Sequence, residues 1–335
     1  MQYYGTLGPA CSSLKILEAM FRAGMTGVRL NLSHGGLEEN GAWLSLVQKA
    51  AAGCVKRPEI LIDLRGPELR IGKIPEEIPA QENSILLFGE GGLPVPAPFL
   101  SHIEPNDTVL LDDGRLEFVI QKNNGKTAEA KVCRGGMIKP EKSLAVAGKT
   151  IPMPALTDSD RENIRLAAKY GVTGVMQPFV RSCGDLMELK EALRSAGAGN
   201  VRIFAKIENM QGVRNLEELF PAADEIVIAR GDLGNAMPLW ELPGVQKELA
   251  ARCRKAGKPF MVVTQLLDSM ERQAVPTRAE VLDICNAVLD GASSLMLTGE
   301  TAAGRYPAAA MEYLVKTGEA ARKSQNPIQN TEKQR

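Results

Sequence analysis

Histidine is nearly absent from this chain of 335 residues: there are two, His34 and His102. A histidine-rich metal centre is therefore excluded. Cysteine is sparse as well. Cys11, Cys54, Cys133, Cys183, Cys253 and Cys285 are scattered with no CxxC pair, which reads as reduced packing thiols of a cytosolic protein, not a disulfide frame or zinc site. Net charge is missing: 40 Lys+Arg balance 40 Asp+Glu. No global field exists to hold a nucleic-acid backbone or an anionic membrane. The apolar runs are short and broken by charge, so no bilayer span is expected. The opening MQYYGTLGPA has neither a basic nor an apolar leader region and is not expected to be a secretory signal.

What is present is a strict alternation. Short runs, most of them rich in Val, Ile and Leu, fall at 3–6, 27–32, 59–64, 174–179, 201–207, 225–229, 260–264 and 294–298. Such runs suit strands covered on both faces. Amphipathic helical patterns lie between them, near 13–23, 37–52, 158–170, 184–196, 212–221, 243–257, 277–290 and 307–322. Thr157 with Asp160 makes a capping-box-like start, Pro307 sits in a first turn, and Gly171 and Gly257 follow helix ends. Eight strand–helix units predict a parallel sheet closed into an α/β (β/α)8 TIM barrel. One connection is anomalous. Residues 71–149 lack the helix pattern and carry β-like runs (SILLF, DTVLLDD, RLEFVIQ, EAKVC) with a Pro/Gly-rich GGLPVPAPFL. They read as a small β domain inserted after strand 3, with 1–70 and 150–323 forming the barrel and 324–335 a disordered tail. Gly89–Gly92 reads as a turn, Asp112–Asp113 as a hairpin turn, Trp43 and Trp240 as core or interface, and Arg278 with Glu280 as a pairing between βα loops.

In such a barrel chemistry sits at the C-terminal strand ends. Six of the eight runs end in polar residues: Arg29-Leu30-Asn31-Leu32-Ser33-His34, Asp63-Leu64-Arg65, Lys206-Ile207-Glu208, Arg230-Gly231-Asp232, Thr264-Gln265 and Thr298-Gly299-Glu300. Glu208 and Asp232 come from adjacent strands and suit Mg²⁺, which takes one or two carboxylates plus substrate oxygens. Arg29, Arg65, Arg70 and Lys206 add four cations, a cradle for a phosphate- or carboxylate-bearing anion. Amides after Ala229 would hold a carboxylate, and Thr264 and Glu300 suit proton delivery. The chemistry expected is metal-assisted phosphoryl transfer or enolate chemistry on a small acid.

The segments TLGPACS, GVRLNLSHG, LIDLRGPELRIG, VLLDDGRLEF, AKIENMQGV, IARGDLG, RCRKAGKP, TQLLDSM, PTRAEVLDICNAVLDGA and LTGETAAGRYP, running from residue 5 to about 320, resemble the pyruvate kinase family. That resemblance implies a cytoplasmic glycolytic transferase that moves a phosphoryl group between phosphoenolpyruvate and ADP or another nucleoside diphosphate, with Mg²⁺ (or Mn²⁺) and K⁺. It implies that Arg29 and Lys206 contact the transferred group. Gly231, Asp232 and Thr264 would hold the keto-acid carboxylate, and Glu300 would belong to a proton relay. Glu208 and Asp232 would bind Mg²⁺, and Asn31, Ser33, Asp63 and the Leu64 carbonyl would bind K⁺. Glu68 matches the K⁺-dependent members. His34, Arg65 and Arg70 would face the nucleotide, and 71–149 would be a mobile lid. The family's barrel takes part in subunit contacts, so the resemblance is compatible with a homo-oligomer. The chain departs from the family pattern in several places. The C-terminal effector-binding domain is expected to be lacking, a lysine after strand 3 is Arg65, a serine after strand 4 is Pro178, and the lid return reads Lys142 to Gly148. Two further readings stay open: enolate or keto-acid chemistry without ADP, and a non-catalytic phosphoenolpyruvate-binding relative.

Overall fold

The computed structural model describes residues 1–112, 114–149 and 151–325. Eight strands form a closed parallel barrel: Gln2–Thr6, Gly27–Asn31, Glu59–Asp63, Gly174–Gln177, Arg202–Ile207, Glu225–Ala229, Phe260–Val263 and Ser294–Leu297. Each pairs with the next in chain order, and the eighth closes on the first through the register Gln2↔Ser294 to Gly5↔Leu297. All eight predicted strands are found. Strands three and four are direct neighbours, Gly174 beside Leu61, although the whole insert separates them in sequence.

Strand alternation sorts the side chains. Ile60 and Ile62 face the helices, in a shell with Leu17, Met20, Leu44 and Leu249. Leu61, with Tyr4, Met176, Phe204, Val227, Met261 and Met296, fills the barrel interior. Two glycines make room for the two rings. A Cβ on Gly27 would lie 2.6 Å from Tyr4, and one on Gly174 would lie 2.6 Å from Phe204. Continuing the inward phase past Leu61 and Phe204 brings Asp63, Lys206 and Glu208 to the C-terminal mouth, which is what positions the site.

The helices follow the predicted order, with local differences. The second begins at Gly41, with Asn40 at its N-cap. The pattern at 212–221 is two short pieces, Met210–Arg214 and Leu216–Leu219. Asn215 breaks it, its side-chain amide donating to the Arg181 carbonyl at 2.8 Å. The last helix runs Pro307–Gln325, so Ser324 and Gln325 belong to it. The rest of the expected tail, from 326, lies outside the described residues, as does Asp113.

The insert has its own core around Phe88, Phe99 and Phe118, with Phe88 and Phe118 edge to face at 5.3 Å. Its five-stranded antiparallel sheet takes the order 144–146, 108–111, 116–123, 127–134, 85–89. The pair 78–80 and 136–138 stands apart. The stretch read as helix-free holds a helix, Ala97–His102. The proline-rich sequence hides it: Pro96 is the N-cap and Pro98 sits in the first turn, where a missing N–H costs nothing. Gly89 and Gly91, at φ 94° and 76°, make the expected turn.

Candidate active site

The centre of the mouth is one buried carboxylate gripped by two cations. Arg29 Nε and Nη2 donate to Asp63 Oδ2 at 2.9 and 2.6 Å, and its Nη1 donates to Thr6 Oγ1 at 3.2 Å. Lys206 Nζ lies 3.1 Å from Asp63 Oδ2 and 2.9 Å from Glu208 Oε1. Glu208 Oε2 accepts the Phe179 N–H at 2.9 Å. Asp63 and Glu208 are 2% and 3% exposed. Burial alone pulls the Lys206 ammonium toward neutrality, but Asp63 and then Glu208 overcome this and hold its pKa above the ordinary lysine value. The two carboxylates thus favour the charged form of Lys206.

Beside this cluster the helix Arg230–Asn235 follows strand six. Gly231 and Asp232 fall in its first turn. A Cβ on Gly231 would sit 3.3 Å from Thr264 Cγ2, so glycine lets the two loops approach. Thr264 and Gln265 adopt φ 77° and 53°, a left-handed conformation that a β-branched residue takes only under constraint. The constraint is Arg230. Its Nε donates to Thr264 O at 3.1 Å, Nη2 reaches the same carbonyl, and Nη1 donates to Asp283 Oδ2 at 2.6 Å. Glu300, 1% exposed, accepts from Leu267 N at 3.0 Å and Thr298 N at 2.7 Å. It braces the loops after strands seven and eight. Glu280 accepts from Ser269 N at 2.7 Å, a contact inside the single connection after strand seven and not the pairing between two βα loops expected of it.

A cleft of about 360 Å³ opens between mouth and insert. Glu208 and Asp232 line it, facing Leu144, Val146 and Lys149 of the insert. Two carboxylates with cleft space beside them fit a hard divalent cation that takes its remaining oxygens from substrate and water. Among the described residues no cluster of three or more His, Cys, Asp or Glu offers a metal cage. Asn31, Ser33, Asp63 and the Leu64 carbonyl, at the ends of the neighbouring second and third strands, carry oxygen donors of the kind a K⁺ ion could take, and Asn31 Oδ1 accepts Ser33 N at 3.2 Å. The three residues read as the nucleotide side do not line the cleft. His34 and Arg65 are exposed, and Arg70 is held by Glu68 Oε2 at 2.7 Å and the Glu141 carbonyl at 2.8 Å. The cations that do line it, Lys149, Arg181 and Arg214, escaped sequence reasoning, as did Arg230. Arg230 lies within IARGDLG, but spacing alone gives it no tertiary partner.

Fold and mouth together define a (β/α)8 barrel with a charged strand-end mouth that opens to a cleft, and an inserted β domain. The family model "Pyruvate kinase, barrel domain" matches residues 2–89 and 95–311. A pyruvate kinase of Aeropyrum pernix is 38% identical over 321 residues, covering 95% of this chain and 70% of the relative. Pyruvate kinases of Bacillus licheniformis and Geobacillus stearothermophilus are each 38% identical over 318 residues, 92% of this chain and 54% of theirs. The chain therefore spans about half the length of these two bacterial relatives. It belongs to the pyruvate kinase family. Among the described residues no helix is long and apolar enough to cross a membrane.

Proposed function

We propose that the chain transfers a phosphoryl group between phosphoenolpyruvate and a nucleoside diphosphate in the cytoplasm, giving pyruvate and the triphosphate. Family membership and one observation carry this reading: a lysine and an arginine converge on one buried carboxylate beside two carboxylates that line a cleft. Phosphoryl transfer demands positioning and charge neutralisation more than covalent participation by the protein. Arg29 and Lys206 neutralise the phosphoryl oxygens. The amides of Gly231 and Asp232 and the Thr264 hydroxyl hold the carboxylate end. Glu208 and Asp232 would hold Mg²⁺ or Mn²⁺, and Asn31, Ser33, Asp63 and the Leu64 carbonyl would hold K⁺. When bound, these ions supply further positive charge to substrate oxygens. Glu300 steadies the loop that delivers a proton to the enolate. His34, Arg65 and Arg70 face the nucleotide when the lid, residues 71–149, closes over the barrel of 1–70 and 150–323 and excludes water. Homo-oligomer formation is compatible with this reading.

The test is pyruvate formation from phosphoenolpyruvate with Mg²⁺, with and without ADP, in K⁺ or Na⁺. ADP-dependent turnover favouring K⁺ is expected. Pyruvate release without ADP would instead place the chain with enolate chemistry on the same scaffold.

A further inference from the structure

The capping-box aspartate does more than start a helix. Asp160 is 1% exposed. A capping box asks the N3 carboxylate for one contact, the N-cap backbone N–H. Asp160 Oδ2 makes it, accepting Thr157 N at 2.9 Å and Thr157 Oγ1 at 2.7 Å. The rest of the carboxylate leaves the helix. Oδ1 accepts Arg65 N at 2.9 Å, and Gly66 N lies 3.3 and 3.1 Å from the two oxygens. Those amides are 94 and 95 residues away in sequence, in the loop that leaves the third barrel strand. The same loop is held from its other side. Leu64 N donates to Met176 O at 3.1 Å, and Gly66, at φ 62°, leaves no room for a Cβ, which would lie 2.2 Å from Pro178.

Asp160 thus clamps the point where the chain leaves the barrel for the insert (Arg65–Gly66) to the point where it returns (Thr157). The clamped loop starts next to Asp63, the acid on which Arg29 and Lys206 converge, and it carries Leu64 and Arg65. We propose that Asp160 is a positioning residue: its carboxylate fixes the exit of the third strand, and so holds the Asp63 carboxylate, the Leu64 carbonyl and the Arg65 backbone in working geometry. This rests on the phosphoryl-transfer reading above. The buried carboxylate faces amide donors on two sides. A carboxamide would point N–H at N–H, leaving buried donors unpaired.

Three variants of the full chain separate this role from helix capping. Asp160→Glu keeps the usual capping-box residue at N3 but displaces the carboxylate from Arg65 and Gly66. Asp160→Asn keeps the size and breaks the acceptor pattern. Thr157→Ala weakens the cap and leaves the Arg65 and Gly66 amides paired. Misplacing reacting groups by about 1 Å costs on the order of 100-fold. Both Asp160 variants should therefore lose kcat by about tenfold or more, with a higher K⁺ concentration for half-activation and a smaller change in the phosphoenolpyruvate KM. Thr157→Ala should keep kcat and K⁺ response within about twofold while lowering Tm. Should Asp160→Asn fail to fold, Asp160→Glu carries the test. A Lys206→Met control separates the two claims. If it is as active as the unaltered chain, the reading of the site falls. If it is inactive while Asp160→Glu keeps normal kcat and K⁺ activation, the positioning role is overturned.

Discussion

The two ends of the barrel are plugged by the same kinds of residue and behave differently. At the N-terminal end Arg202 reaches Glu59 at 3.1 Å and Glu225 at 2.9 Å and stacks 4.7 Å over the Phe204 ring. Tyr4 donates to Glu59 at 2.6 Å, and Ser293 and Ser294 donate to Glu225. Burial, then the hydrogen bond to Glu59, pushes the Tyr4 hydroxyl well above the ordinary tyrosine value. One cation is shared by two acids whose other oxygens are satisfied by hydroxyls. At the C-terminal end Arg29 and Lys206 converge on Asp63, Lys206 also reaches Glu208, and Glu208 and Asp232 line a cleft. The first arrangement seals. The second keeps charge in hand for a ligand, at some cost in stability.

The sharpest way to break this contrast is to remove one cation from each end. Lys206→Met should reduce phosphoenolpyruvate turnover by roughly 10³-fold, the scale of losing a preorganised charge on the transition state. Arg202→Met should leave kcat within about twofold but lower unfolding free energy by about 1–3 kcal/mol, the cost of leaving the buried Glu225 and the half-buried Glu59 without their partly exposed guanidinium partner. Urea melts beside steady-state rates would separate the two, and a large kcat loss in folded Arg202→Met would erase the distinction. Arg230→Lys tests how strain is held at the working end. A lysine cannot grip the Thr264 carbonyl and Asp283 with one planar fork. About a tenfold loss in kcat/KM is expected, or ~1.4 kcal/mol, and unchanged kinetics would release Thr264 from this account. The smallest effect is in pH. The Lys206 pKa is raised in the folded state, so its contribution to stability is whole below the ordinary lysine value near 10.5 and fades as pH climbs from there toward the folded value. The stability difference between the unaltered chain and Lys206→Met should stay flat from pH 7 to 10 and shrink above. A decline already at pH 8 would contradict it.

Much of this was legible in the sequence, and the reasons differ by region. All eight barrel strands could be read because most are short Val/Ile/Leu-rich runs that alternate regularly with amphipathic helical patterns, a signal that needs no tertiary knowledge. Asp63, Lys206 and Glu208 could be placed inward because they continue the phase of Leu61 and Phe204. Partnerships could not be read. Nothing in the spacing says that Arg70 spends its guanidinium on Glu68, that Arg230 holds a carbonyl across a strand boundary, or that Thr264 is left-handed. The helix Ala97–His102 was masked because proline at a first turn looks, in sequence, like proline in a loop. The walls of the cleft come from segments far apart in the chain, so Lys149, Arg181 and Arg214 carry no local signal.

The pairing of Gly174 beside Leu61 has a consequence for the order of assembly. These neighbours must find each other across 112 intervening residues, while most other barrel strands meet the next one after a single helix. Each doubling of a flexible loop adds about 0.6 kcal/mol to the entropy of closing it. An insert that has already folded around Phe88, Phe99 and Phe118 brings its two ends together and shortens the effective tether. The seam between the third and fourth strands is then the last to zip when the insert is slow, and an ordinary parallel crossover through the helix Asp158–Leu166 when it is fast.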